Sequence, residues 1–156
     1  MTSLGGFQTK IDYTLEQLPN KVDLFILVGG SNWPINDIKL TEFVKYRLDN
    51  NELVGAICGG VDYLARQELL YNYQHTGNDK EVWQSYQHYN NSAKFKYQQA
   101  VIDNNLVTAN GTAALEFTRL VLKMINFATD SEVKRMTDFY QLGFYKYCQK
   151  YGNPYS

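Results

Sequence analysis

Leu53-Val54-Gly55-Ala56-Ile57-Cys58-Gly59-Gly60 is a short apolar run that stops on two glycines, and beyond it Val61, Leu64, Ala65 and Leu69 recur at i, i+3, i+4 and i+8. A continuous apolar run suits a strand covered on both faces, and the recurrence after it suits a helix. Strand, sharp turn and helix therefore follow one another here, with Cys58 at the turn. Upstream, Val22-Asp23-Leu24-Phe25-Ile26-Leu27-Val28 stops in the same way on Gly29-Gly30, as a buried parallel strand entering a glycine loop does. Between the two runs Ile38, Phe43, Val44 and Leu48 give a rough helical spacing closed by Asp49-Asn50-Asn51, which predicts a surface helix over Asn36 to Leu48.

Downstream, the stretch from Asp79 to Gln99 is polar but carries Trp83, Tyr86, Tyr89, Phe95 and Tyr97, an irregular or partly helical excursion packed through its aromatics. Ala100-Val101-Ile102 and Leu106-Val107-Thr108-Ala109 flank Asp103-Asn104-Asn105, the chemistry of a hairpin. A helix is predicted from Thr112 to Phe127. One last helix, N-capped by Asp130 or Ser131, carries Val133, Met136, Tyr140, Phe144 and Tyr147 on one face until Gly152-Asn153-Pro154 ends it. Alternating strands and helices predict a layered α/β fold, with residues 1–156 as a single domain.

The bulk properties narrow the function. With a formal net charge of −1 and its charges scattered, the chain offers no basic stripe for nucleic acid and no basic face for a membrane. No apolar run approaches the roughly 20 residues a bilayer requires, and the Met1 end has no charged-then-apolar leader, so the expected location is the cytoplasm. Cys58, Cys148, His75 and His88 lack metal-type spacing; neither metal nor cofactor is expected.

A nucleophile held between a strand and a helix must turn sharply, and Ala56, Gly59 and Gly60 are the small neighbours that such an elbow needs. The first free N–H groups of the following helix favour the thiolate, which makes Cys58 rather than Cys148 the reactive thiol. Gly29 and Gly30 would reach the same sheet edge, where their N–H groups and that of Gly59 could hold an oxyanion. A helix ending near Leu70 rises about 16 Å, and a returning strand needs roughly five residues to regain the level of the elbow. That count favours Asn78 or Asp79 beside the thiol over His75, the second-rank base. His75 also has a plainer reading, as a strand or turn residue satisfied by hydrogen bonds; Cys148 reads as a structural thiol and His88 as a solvated side chain.

The ordered landmarks Leu27-Val28-Gly29-Gly30, Ala56-Ile57-Cys58-Gly59-Gly60, His75-Thr76-Gly77-Asn78-Asp79 and Thr108-Ala109-Asn110-Gly111-Thr112 with Glu116-Phe117 resemble those of the superfamily of PfpI-type intracellular proteases and the parkinsonism-associated deglycase. The resemblance implies a flavodoxin-like three-layer α/β sandwich with a mainly parallel sheet, usually a homodimer. Its nucleophile would be Cys58, with His75 as candidate base and Thr76, Asn78, Asp79 and Thr112 as neighbours. The chain departs from the pattern twice. Gly59 stands where the protease-like branch has histidine, and Met1-Thr2-Ser3-Leu4-Gly5-Gly6 resembles the point after the family's first strand-helix-strand unit, about 40 residues that would supply an acidic partner. Two functions are consistent with this: a cysteine-dependent hydrolase or deglycase acting on peptide, amide or carbonyl-adduct substrates, or a non-catalytic oxidative-stress sensor, chaperone-like or binding protein of the same fold. A glutamine amidotransferase is disfavoured, since no His-Pro-Glu stretch follows Thr112.

Overall fold

The computed structural model describes residues 2–3, 5–19, 21–87 and 89–156. The expectation for His88 lies outside the described residues, as do Met1 and Leu4. Four strands form one sheet: β1 (Leu24–Leu27), β2 (Leu53–Ile57), β3 (Ala100–Asp103) and β4 (Leu106–Ala109), in the order β1-β2-β4-β3. β1, β2 and β4 run parallel; β3 returns antiparallel to β4 through the Asn104-Asn105 turn, with Asn104 at φ 50°.

Alternation along the strands sorts the core into two faces. Leu27, Val54, Ala56 and Leu106 point into the larger cluster, which α1 (Ile38–Asp49) and α2 (Gly59–Arg66) cover with Val44, Leu48, Val61, Tyr63 and Leu64. Val107 and Ala109 point the other way, against Phe117 and Val121 of α4 (Ala114–Met124). Helices on both faces of a mainly parallel sheet make the expected three-layer sandwich. β1 is an edge strand, and Ile26 is 38% exposed there. Asp37 caps α1 by accepting from the N–H groups of Lys39 and Leu40.

The last third differs from expectation in two ways. The single final helix is two, α5 (Asp130–Leu142) and α6 (Phe144–Tyr151), because Gly143 takes a φ of 73° that a continuing helix cannot contain. The N-cap of α5 is Thr129, in a capping box with Glu132. Buried Asp138 then ties α6 to α5, accepting from Lys134, Lys150 and Tyr151 at 2.7–2.8 Å. These donors hold its carboxyl far below the ordinary aspartate value.

The returning strand after α2 is also absent. His75 makes one parallel bridge to Phe95, and the Thr76 N–H donates to the Thr108 side chain at 3.0 Å rather than to a strand backbone. The excursion that follows is a short helix α3 (Lys80–Trp83) and a 3-10 turn at Ser92–Lys94. Trp83 fastens it, fully buried among His75, Tyr89 and Phe95 with ring centroids 5.3–6.0 Å away.

Candidate functional site

Cys58 joins β2 to α2 with φ 56° and ψ −125°, a backbone conformation that a side-chain-bearing residue rarely adopts. The surroundings over-determine it. Its N–H donates to the Ala109 carbonyl at 3.0 Å, and its own carbonyl accepts from Val61 N–H at 2.9 Å in the first turn of α2. Glycines make the room: a Cβ on Gly29 would lie 3.0 Å from the Cys58 Cβ, and one on Gly111 would lie 2.9 Å from Sγ.

The two glycines after the cysteine are required for a different reason. A Cβ on Gly59 would overlap the Gly30 carbonyl oxygen and stand 2.7 Å from Trp33 Cδ1, while one on Gly60 would overlap the Leu27 carbonyl. The loop after β1 thus lies directly on the start of α2. Trp33 secures it by donating Nε1–H to the Val28 carbonyl at 2.7 Å, and Arg66 donates to the Trp33 carbonyl at 3.0 Å. The histidine that the protease-like branch carries after its cysteine has no space at position 59. Among the described residues, the N–H groups of Gly29, Gly30 and Gly59 donate to no protein acceptor.

Of the polar residues expected near the thiol, the structure brings Asn78. Its Nδ2 donates to Cys58 Sγ at 3.4 Å, and its Oδ1 accepts from the Gly111 N–H at 2.8 Å, so the amide is oriented at both ends. Asp79 instead caps α3 through the Glu81 N–H, Thr76 donates to the Gln98 carbonyl, and Thr112 donates to Asn110 and Gln99. His75 is not brought to the sulfur by any hydrogen bond. The Tyr73 carbonyl, which can only accept, lies 2.8 Å from Nδ1 and so fixes the proton there; Nε2, 2.9 Å from the Tyr89 hydroxyl, accepts. The fully buried ring is thereby a neutral core histidine, and burial pushes its pKa down.

The sign of the resulting pH dependence is fixed. The folded ring resists a proton that the unfolded chain takes up near 6.5, so stability is full above that pH and is lost as pH falls towards the depressed folded value. A denaturant midpoint measured from pH 7 down to pH 5 is expected to fall, and to fall less in a His75→Asn variant. An equal slope in both proteins would mean that His75 is accessible to protons in the folded state.

Two contributors carried no sequence signal of the part they play. Asp62, in the first turn of α2, accepts from Trp83 Nε1 at 2.8 Å. Burial raises its pKa, partly offset by Trp83, Arg66 and Asn78, with Asp79 acting upward. Gly111 was legible only as part of a landmark, not as the donor that orients Asn78. Beside Asn78 opens a cavity of ≈ 390 Å³, lined by the segment from Thr76 to Glu81, by Phe95, by Tyr97 to Gln99 and by Asn110. No group of three or more potential metal ligands occurs among the described residues.

The family model of DJ-1/PfpI matches residues 1–124. An uncharacterized protease of Bacillus subtilis, YdeA, is 44% identical over 155 residues, covering 99% of this chain and 79% of the relative. A second from the same organism, the uncharacterized protease YoaZ, is 36% identical over 136 residues, covering 84% of this chain and 64% of the relative. Among solved structures, a thiJ/pfpI family protein from Bacillus anthracis superposes with a TM-score of 0.88 at 31% identity, over 96% of this chain and 72% of that one. The Agrobacterium tumefaciens superfamily member Atu0886 gives 0.81 at 28% identity, over 90% and 76%. The sandwich is therefore of the flavodoxin-like type that these neighbours share.

Proposed function

Because this chain belongs to the DJ-1/PfpI family, we propose that it is a cysteine-dependent hydrolase, acting on a peptide, amide or carbonyl-adduct substrate through Cys58. The observation that carries this reading is the backbone of Cys58, held at φ 56° by its hydrogen bonds to Ala109 and Val61 in a space left by Gly29 and Gly111, when a relaxed turn would serve a merely structural cysteine better. The naming of both Bacillus subtilis relatives as uncharacterized proteases supports a hydrolytic class.

In this reading the thiolate attacks the substrate carbonyl carbon and forms a carbon–sulfur bond. The oxygen takes up the negative charge against the free N–H groups of Gly59 and the Gly29-Gly30 loop. Asn78 keeps the sulfur in place through its N–H but accepts no proton from it. As the tetrahedral adduct collapses, the bond between the carbonyl carbon and the leaving group breaks and that group takes a proton from solvent; water then adds to the acyl carbon, the carbon–sulfur bond breaks, and the acid and the thiolate are released. The cavity beside Asn78 gives the remainder of a small or peptide-like substrate its room. A Cys58→Ser variant is expected to lose more than about 100-fold in turnover of any peptide, amide or adduct substrate the wild type processes. Undiminished turnover would remove Cys58 from the chemistry.

One observation favours a second reading. Among the described residues, the side chain that hydrogen-bonds Sγ is an amide, and no general base does so. A protein of this build could act as a thiol sensor or binding protein, with Cys58 oxidised in place of turning over substrate. Mass spectrometry after peroxide treatment separates the two: selective oxidation of Cys58 over Cys148, with no turnover, supports the sensor.

A further inference from the structure

Asp62 and the nucleophile share one turn of helix, since the Asp62 N–H donates to the Cys58 carbonyl at 3.3 Å. The Asp62 carboxylate reaches away to Trp83, whose indole N–H is a donor with no other role and which is wholly buried. The ring of Trp83 lies so close over Gly77 that a Cβ there would overlap its six-membered edge. Gly77 is followed by Asn78, the residue that donates to Sγ. The path is thus closed: it leaves α2 at Asp62, crosses to α3, descends through Gly77-Asn78 and returns to the start of α2 at the thiol.

We infer that Asp62 is a positioning residue of the Cys58 site, pinning the Trp83 indole against which the Gly77-Asn78 backbone is laid and so placing the Asn78 amide on the sulfur. The inference rests on the reading of Cys58 as the reactive thiol and adds to it a part that acts without touching substrate. Asn78 also draws the Asp62 carboxyl pKa down against the effect of burial. The other charged groups around this carboxylate are Arg66, one turn further along α2, and Asp79, at the cap of α3. Arg66 is itself committed to the Trp33 carbonyl and the Tyr86 hydroxyl. Asp62 is therefore a partly buried carboxylate in the helical turn that follows the thiol, and it acts as an acceptor: by holding Trp83 it delivers Asn78 to the sulfur.

Asp62→Asn keeps shape and an acceptor oxygen but removes the charge; Asp62→Ala removes both. The rate of iodoacetamide alkylation of Cys58, divided by that of Cys148 in the same molecule and followed across pH 5 to 9, is read by peptide mass spectrometry for each. Asp62→Ala is expected to lower this ratio on the alkaline plateau by about fivefold, the scale of one lost hydrogen bond. It should also shift the Asn78 side-chain and Gly111 backbone amide signals in a nitrogen–proton correlation spectrum. Asp62→Asn, which keeps an acceptor oxygen for the Trp83 indole, is expected to preserve both signals and the plateau. A purely structural role would lower the melting temperature of both variants without moving the ratio or the Asn78 signals, and that result overturns the inference. Should Asp62→Ala fail to fold, Trp83→Phe, which keeps a ring over Gly77 but removes the donor to Asp62, decides alone, unmoved Asn78 signals and an unmoved ratio counting against the inference. Wild-type Cys58 no more reactive than Cys148 would instead sink the nucleophile reading, and the Asn78 signals would still judge Asp62.

Discussion

Replacing Gly60 with alanine is expected to destabilise the protein by about 3 kcal/mol or more, at the upper end of what overpacking costs. The added methyl would overlap the Leu27 carbonyl oxygen and approach the Leu27 Cβ to 2.9 Å. Neither atom can swing aside as a long side chain could, because both belong to the backbone end of Leu27, which is paired with Ala56 as the last rung of the parallel β1–β2 ladder. Relief requires β1 and α2 to separate, which would also displace Cys58 at the head of α2. Gly30→Ala is the matching control: nothing lies within 4 Å of its added Cβ, and the change is expected to stay within about 0.5 kcal/mol. Urea midpoints of the two variants test the pair. A Gly60→Ala protein as stable as Gly30→Ala would mean that the helix and strand are less closely seated than described.

Trp83→Ala is the second large effect, expected at about 3–5 kcal/mol for emptying a buried indole site. The loss has three parts in the structure: the edge contacts to Tyr89 and Phe95, the packing over Gly77, and the hydrogen bond to Asp62. Phenylalanine restores most of the first two and none of the third, so Trp83→Phe should fall between, at about 1–3 kcal/mol for a partly buried carboxylate left short of a donor. Denaturant unfolding should therefore rank wild type above Trp83→Phe above Trp83→Ala. If Trp83→Ala cost less than about 1 kcal/mol, the excursion would be anchored elsewhere and Trp83 could not be the strut that carries Gly77-Asn78.

Much of this arrangement was legible in the sequence because it is written in short-range terms. Two apolar runs ending on glycine pairs can only be strands that stop at a crowded edge, and the hairpin at Asn104-Asn105 is announced by its turn residues. Asn78 could be reached by counting helix rise against strand return, since distance along the chain converts directly into position. Asn78 lies beside the sulfur in the structure, although α2 ends at Arg66 rather than near Leu70 and the return forms no ladder, the partners of His75 and Thr76 being a single bridge and a side-chain hydroxyl. The break at Gly143 was available from a glycine inside a helical pattern, and was hidden by the apolar spacing that continues across it. Asp62 was not available at all. An aspartate in the first turn of a helix is ordinary, and its partner Trp83 comes 21 residues later in a segment with no periodicity.

The carbonyl of Gly30 lying on Gly59 also bears on how such a chain can change over generations. A side chain at position 59 is closed to any single substitution, because admitting one would require the loop from Gly29 to Trp33 to move in the same step. Position 78 carries no such restriction: it is exposed, already touches the sulfur, and needs no new backbone path. A basic side chain at position 78 would therefore need none of the backbone movement that one at position 59 demands.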